Sequence, residues 1–174
     1  MAAPSIISVS KIRSTTGNSL TAAITAPSAG NLMVAHVTSY AGTGGSATAS
    51  DSVNGAYTVG SRHDTGADQQ VGSFYFPNCA TSGSVNGTVG GGAGGSGIVG
   101  IFHEVSGAAT ASPLTGTPTG SAELGTNPDS QALTTTDADA ILFAAVAWGT
   151  NVFQWLWALA MWLFSGAWRG GSEV

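Results

Sequence analysis

Charge is what this sequence has least of. Of its 174 residues only 7% are Asp, Glu, Lys or Arg, against roughly a quarter in an ordinary globular chain. Four basic residues against nine acidic ones give a net charge of -5. No basic patch is available to neutralise phosphates, so no nucleic-acid partner is expected. Cysteine is nearly absent as well. The lone Cys79 excludes an intramolecular disulfide framework and any Cys-rich zinc site. The opening residues Met1–Lys11 lack a basic leader followed by an apolar stretch, so no secretory signal is expected. A chain made in a host cytoplasm and displayed by another route, such as a virus particle released by lysis, fits that start and the uncharged Ser/Thr/Gly-rich composition.

What is present is glycine, 26 residues of it, with 43% hydrophobic residues. Low charge combined with abundant Val, Ile, Phe and Trp argues against disorder. The length suits one domain with a real core, or one domain and an appendage. Up to about residue 150, short apolar runs are separated by turn residues about every 8 to 12 positions, the all-β pattern. Ile6–Ile12 is a first strand. Leu20–Thr25 alternates, with Leu20, Ala22 and Ile24 on one face. Leu32–Tyr40 carries Met33, Ala35 and Val37 on one face and Leu32, Val34 and His36 on the other, the two-sided apolar pattern of a central strand. Asp51-Ser-Val-Asn54-Gly55 is a turn, since Asn-Gly tolerates positive φ. Ala56–Arg62, Val71–Phe76, Ser84–Val89, Ile98–Val105, Leu133–Thr136 and Ala140–Trp148 read as further strands. Ser106–Pro128 is a long polar loop, where binding tends to sit. No helix intervenes before residue 150, so the expectation is an antiparallel β-sandwich, jelly-roll-like, over residues 1–150.

Several of these segments carry a resemblance. Ser50-Asp-Ser-Val-Asn-Gly-Ala-Tyr-Thr58 looks like the SDSxGNxYT hairpin of β-sandwich proteins scattered through bacteriophage and bacterial genomes, with the Gly-Asn order reversed here. Phe74-Tyr-Phe-Pro-Asn78 resembles their YYAPN strand end. His103-Glu-Val-Ser-Gly107 followed by Pro113-Leu114 is similar to their EYSG…PL segment, and Thr134–Thr136 with Ala140–Gly149 to their closing strands. The likeness runs in consistent order over roughly residues 20 to 150. It implies a phage virion component or a secreted, repeat-built surface protein, often without a defined activity. Together with the composition and the sparse chemistry below, the expectation is a capsid decoration or fibre-associated subunit, a homo-oligomer whose partners are other virion subunits, with no enzymatic activity and no cofactor. Those proteins continue with further strands where this chain does not, so the sandwich is either truncated or completed by a neighbour.

The candidate chemistry is sparse. His63-Asp64 and His103-Glu104 are the adjacent His-carboxylate pairs, with His36 as third histidine. No Gly-x-Ser-x-Gly elbow accompanies them. Strand neighbours point to opposite faces, so His103 and Glu104 are expected not to share a pocket, Glu104 tethering a loop backbone and His103 facing solvent. Asp51, Asn54, Asp64, Asp68 and Glu104 are oxygen donors of the kind calcium takes. Asp51 and Asn54 flank one turn and are the candidate calcium pair, against the alternative that Asp51 caps its own backbone in an Asx-turn. Tyr40, Tyr57 and Tyr75 are possible stacking platforms for a glycan, which would suit a carbohydrate-binding or adhesin module. The six glycines in Gly90–Gly97 lack the Lys-Ser/Thr of a phosphate loop.

Near Asn151 the character changes. Four of the five tryptophans fall in the last 24 residues, and no charge occurs between Asp139 and Arg169. Trp157, Met161, Phe164 and Trp168 share one helical face; Trp155, Leu159 and Trp162 share another. An element apolar all round is buried in protein or in lipid. The run is shorter than the roughly 20 residues that span a bilayer, so these seven residues are expected to form an assembly interface, with a membrane anchor over 152–168 as the alternative. The gene offers a third reading. Back-translating Trp155–Arg169 and reading two bases later yields a run such as Ala-Val-Gly-Ser-Gly-Tyr-Val-Ala, which matches the first 150 residues in character where the actual 151–174 segment does not. A shifted frame beginning near residue 150 is the expectation that follows.

Overall fold

The structure is a computed structural model and describes residues 3–40, 46–64, 70–91, 97–114, 140, 141 and 143, with the side chains of Tyr40, His63 and Asp64 excepted. Nine strands run β1 (Ser5–Ser14), β2 (Ser19–Ile24), β3 (Leu32–Tyr40), β4 (Thr48–Asp51), β5 (Gly55–Ala56), β6 (Thr58–Asp64), β7 (Gln70–Phe76), β8 (Val85–Gly90) and β9 (Gly97–Ser106). They form two antiparallel sheets, ordered β1-β9-β3-β7-β6 and β2-β8-β4-β5, with no helix among the described residues. The all-β, two-sheet expectation is met.

The pairings have a simple logic. The chain turns back on itself at the β4–β5 hairpin, and strands of the two arms pair, β1 with β9, β2 with β8, β3 with β7 and β4 with β5, while β6 pairs within the return arm with β7. Rolling that ribbon adds β3 to β9 and β4 to β8. Tyr57 is the crossing point. Its backbone N–H still donates to Ala49 O at 2.9 Å, and the next residue begins β6 in the opposite sheet. The single strand expected over Ala56–Arg62 is therefore two short strands in different sheets.

Alternation fixes what each strand buries. Met33, Ala35 and Val37 enter the core between the sheets with Ile24, Phe74, Val89 and Phe102. On the other face of β3, Leu32 and Val34 join Val105, with Ile6, Tyr75, Ala108, Ile141 and Phe143 packed against them. β3 is central and buried on both faces, as its two-sided apolar pattern predicts. Glycines on the inner faces leave room for side chains of the facing sheet. A Cβ on Gly100 would lie 2.6 Å from Val89 Cγ1, and one on Gly87 2.8 Å from Phe102 Cζ.

β1 is a sheet edge, and it carries the features that discourage further pairing: a bulge between Ile6 and Ser8 and the exposed cations Lys11 and Arg13. Two expectations need restating. Ala140, Ile141 and Phe143, expected to open a strand, lie outside any strand. The expected strand Leu133–Thr136, most of the Ser106–Pro128 loop and the whole 151–174 segment lie outside the described residues, so Trp155, Trp157, Leu159, Met161, Trp162, Phe164 and Trp168 receive no structural account.

Candidate functional site

Three polar clusters stand out, and the first two are spent on the fold. The first is the hairpin tip. Asp51 Oδ1 accepts from the backbone N–H groups of Val53 (2.8 Å) and Asn54 (2.7 Å), and Oδ2 accepts from Asn54 Nδ2 (2.9 Å) and the Tyr57 hydroxyl (2.7 Å). Gly55 closes the turn at φ +81°, the left-handed position glycine fills without strain. Burial by itself pushes the Asp51 carboxyl upward, and the bonds from Asn54, Tyr57 and Val53 more than offset that, holding it below its usual range. Both oxygens are saturated by donors. Asn54 turns its amide N–H₂ toward Asp51, and its Oδ1 accepts from Ala80 N–H at 2.8 Å. The pair named for calcium is thus an Asx-turn whose oxygens already have partners. Among the described residues no group of three or more His, Cys, Asp or Glu side chains converges as metal ligands.

The second cluster surrounds Glu104. Its Oε1 accepts from Ser28 N–H (2.6 Å) and Asn31 Nδ2 (2.7 Å), and Oε2 from Ser8 Oγ (3.1 Å). Burial raises its pKa, and these bonds more than offset the rise and leave the carboxyl below its ordinary value. One side chain from β9 therefore holds the β2–β3 turn and the edge strand β1. Glu104 tethers a loop backbone, as expected.

The third cluster is different. His103 was expected to face solvent, and it is 2% exposed. The reason is that the outer face of the five-stranded sheet is covered around β3 and β9, where Ala108, Ile141 and Phe143 pack on it. The register sets Val34 opposite His103 and Ile101 opposite His36, which makes the two histidines diagonal neighbours on that face. Their ring centroids are 5.4 Å apart in an edge-on arrangement. The Phe143 ring lies 5.5 Å from His36 and 5.3 Å from His103. His36 Nδ1 meets Ser73 Oγ at 2.9 Å, while His36 Nε2, both nitrogens of His103 and Thr38 Oγ1 are buried with no hydrogen-bond partner among the described residues. Burial, reinforced by His103, lowers the His36 pKa to about 4; burial, reinforced by Lys11, lowers that of His103 to about 4. Both rings are neutral at pH 7.

Ser73 and His36 touch, and among the described residues no orienting carboxylate of the kind a Ser-His-acid triad uses meets His36 Nε2. Glu104 belongs to the opposite face, as strand alternation requires. The His63-Asp64 side chains lie outside the described residues, as does Asp68. Of the glycan platforms, Tyr57 is withdrawn: it is 6% exposed, its hydroxyl is bound to Asp51, and its ring packs edge-on against Phe102 at 6.1 Å. Tyr75 is half-buried on the outer face, and the Tyr40 side chain is not among those described. Cys79 is a buried thiol pushed up to about 11 chiefly by burial, and so unreactive near neutrality.

The His36–His103 contact was not legible as a pair in the sequence. A signal existed: both residues fall in phase with the outward apolar positions of strands buried on two faces, His36 with Leu32 and Val34, His103 with Ile101 and Val105. No family model, curated protein or solved structure matches the chain.

Proposed function

We propose that this chain is a structural protein of a bacteriophage particle surface, a capsid decoration or fibre-associated jelly roll that acts by assembly and not by catalysis. The strand order carries the reading. The pairing of β1 with β9, β2 with β8 and β3 with β7 around the β4–β5 hairpin, with β6 added beside β7, supports a jelly-roll reading, and viral capsid domains are a principal user of that arrangement. The argument from fold to role is one of analogy. The phage-like hairpin motif supports it, because Asp51, Asn54 and Tyr57 of that motif are committed to folding and leave binding to the surface. In this reading the apolar 151–174 segment buries Trp155, Trp157, Leu159, Met161, Trp162, Phe164 and Trp168 between copies or against other virion subunits.

Sedimentation velocity on the full chain tests the assembly. The expected result is a closed oligomer that Trp157→Ser with Trp162→Ser dissociates. A monodisperse monomer across a wide concentration range would contradict it.

A further inference from the structure

We propose that the Asn54–Gly55 peptide is a self-modification site under the control of the fold: the closed hairpin tip keeps Asn54 from reacting, and an opened tip turns it into a carboxylate that keeps the tip from closing again. This inference is independent of the virion reading.

The chemistry needs only the chain and water. Asn-Gly occurs twice, at Asn54–Gly55 and Asn86–Gly87, and a glycine leaves its backbone nitrogen unshielded by a Cβ. Once solvent base takes the Gly55 amide proton, that nitrogen attacks Asn54 Cγ. A Gly55 N–Cγ bond forms, the Cγ–Nδ2 bond breaks, and Nδ2 takes a proton from solvent and leaves as ammonia, closing a five-membered succinimide. Water then adds to one of the two ring carbonyls. Cleavage at Cγ restores the normal main chain with aspartate at position 54. Cleavage at the main-chain carbonyl carbon of residue 54 routes the main chain through the side chain as isoaspartate. One ammonia is released, one water is consumed, and nothing is oxidised or reduced.

The closed tip opposes the first step. Asn54 Nδ2 donates to Asp51 Oδ2 at 2.9 Å, Asn54 Oδ1 accepts from Ala80 N–H at 2.8 Å, and Asn54 N–H donates to Asp51 Oδ1 at 2.7 Å. Both polar ends of the amide are held, so rotating Cγ onto Gly55 N breaks two bonds. The nucleophile is fixed as well, with Gly55 at φ +81° and paired opposite Asp51. The product opposes reclosure at the same contacts. Aspartate at position 54 sets a carboxylate oxygen where Nδ2 donated, against the Asp51 carboxylate, so a donor is lost and like charges meet. Isoaspartate adds a main-chain carbon to a turn whose arms pair Ser50 with Ala56 and Asp51 with Gly55. Asp51 also anchors Tyr57, where the chain changes sheets, so a tip that stays open loosens the crossover. Asn86 differs: it is exposed within β8, opposite Ala23, and serves as the comparator in the same chain.

Incubation of the full chain in oxygen-18 water at mildly alkaline pH, folded and in urea, followed by peptide mapping with mass spectrometry, tests this. Conversion at Asn54 is expected to be at least about tenfold slower in the folded chain. Asp51→Ser keeps an oxygen for the turn backbone and removes the one that binds Asn54 Nδ2. In that folded variant conversion at Asn54 is expected to quicken about threefold or more, while Asn86 keeps its parent rate. Equal Asn54 rates in the folded and unfolded chains, or no gain in Asp51→Ser, would overturn the proposal. Should Asp51→Ser fail to fold, Asn54→Asp decides, because it installs one product directly. Hydrogen exchange is then expected to show the 52–56 amides losing protection about tenfold or more while the β1–β9 ladder keeps its own. Unchanged protection at 52–56, or equal loss in that ladder, would overturn it.

Discussion

The Tyr57 hydroxyl donates to Asp51 Oδ2 at 2.7 Å, joining the last residue of β4 to the residue at which the chain leaves one sheet for the other. Asp51 thereby holds the hairpin that begins the return arm and the crossover that aims it. Asp51→Ala removes an acceptor from two backbone N–H groups and a buried hydroxyl. The expected loss is about 3 kcal/mol or more, read by urea denaturation. Tyr57→Phe leaves one carboxylate oxygen with a single partner and is expected to cost about 1 to 2 kcal/mol.

Glu104→Gln keeps the shape and replaces one acceptor oxygen by an N–H₂ that faces donors. The β2–β3 turn, held through Ser28 and Asn31, is expected to exchange its amides faster, with a global loss of about 1 to 3 kcal/mol. Exchange confined to regions away from that turn would count against the tether.

Gly100→Ala places a methyl 2.6 Å from Val89 and 3.2 Å from Ile12, so the sheets must separate or side chains must leave their rotamers. The expected cost is about 1 to 3 kcal/mol. Alanine at Gly83, where nothing lies within 4 Å of the added carbon, is expected to be close to neutral, both variants being read by urea denaturation.

Acid stability is expected to fall in two stages. His36 and His103 have folded pKa values depressed to about 4 from 6.5, so their contribution declines as pH drops from about 6.5 toward 4. Asp51 and Glu104 are held below their ordinary values. Their contribution persists above the ordinary carboxylate range and is lost only as pH falls through those lower folded values. Chemical denaturation at closely spaced pH values checks the order; a single carboxylate-range transition would contradict it.

Lys11→Gln removes the positive charge that helps lower the His103 pKa, so His103 is expected to titrate higher than in the unmodified chain. Because burial is the larger cause, the pKa should stay below 6.5. Imidazole NMR reads the direction directly.

The sequence made the sandwich legible wherever alternation was strong. Leu20, Ala22 and Ile24 face inward as their spacing demands, and Met33, Ala35 and Val37 fill the core while Leu32 and Val34 pack on the far side. The Asx-turn at Asp51 was legible because Asp and Asn bond their own turns so readily. The switch of sheets at Tyr57 was hidden, since a two-residue strand has no period to read. The burial of His103 was missed for another reason. Local pattern says which face a residue takes, and only the return of Ile141 and Phe143 to that face, across a long separation in sequence, says that it is covered around His103.

The most direct test of the proposed role is to separate particles, membranes and soluble protein from the native source and locate this chain by mass spectrometry, including peptides from 151–174. The account predicts co-sedimentation with particles, and those peptides report which reading frame the segment uses. Recovery only in the membrane or soluble fraction would contradict a virion role, the first favouring the anchor and the second a binding module.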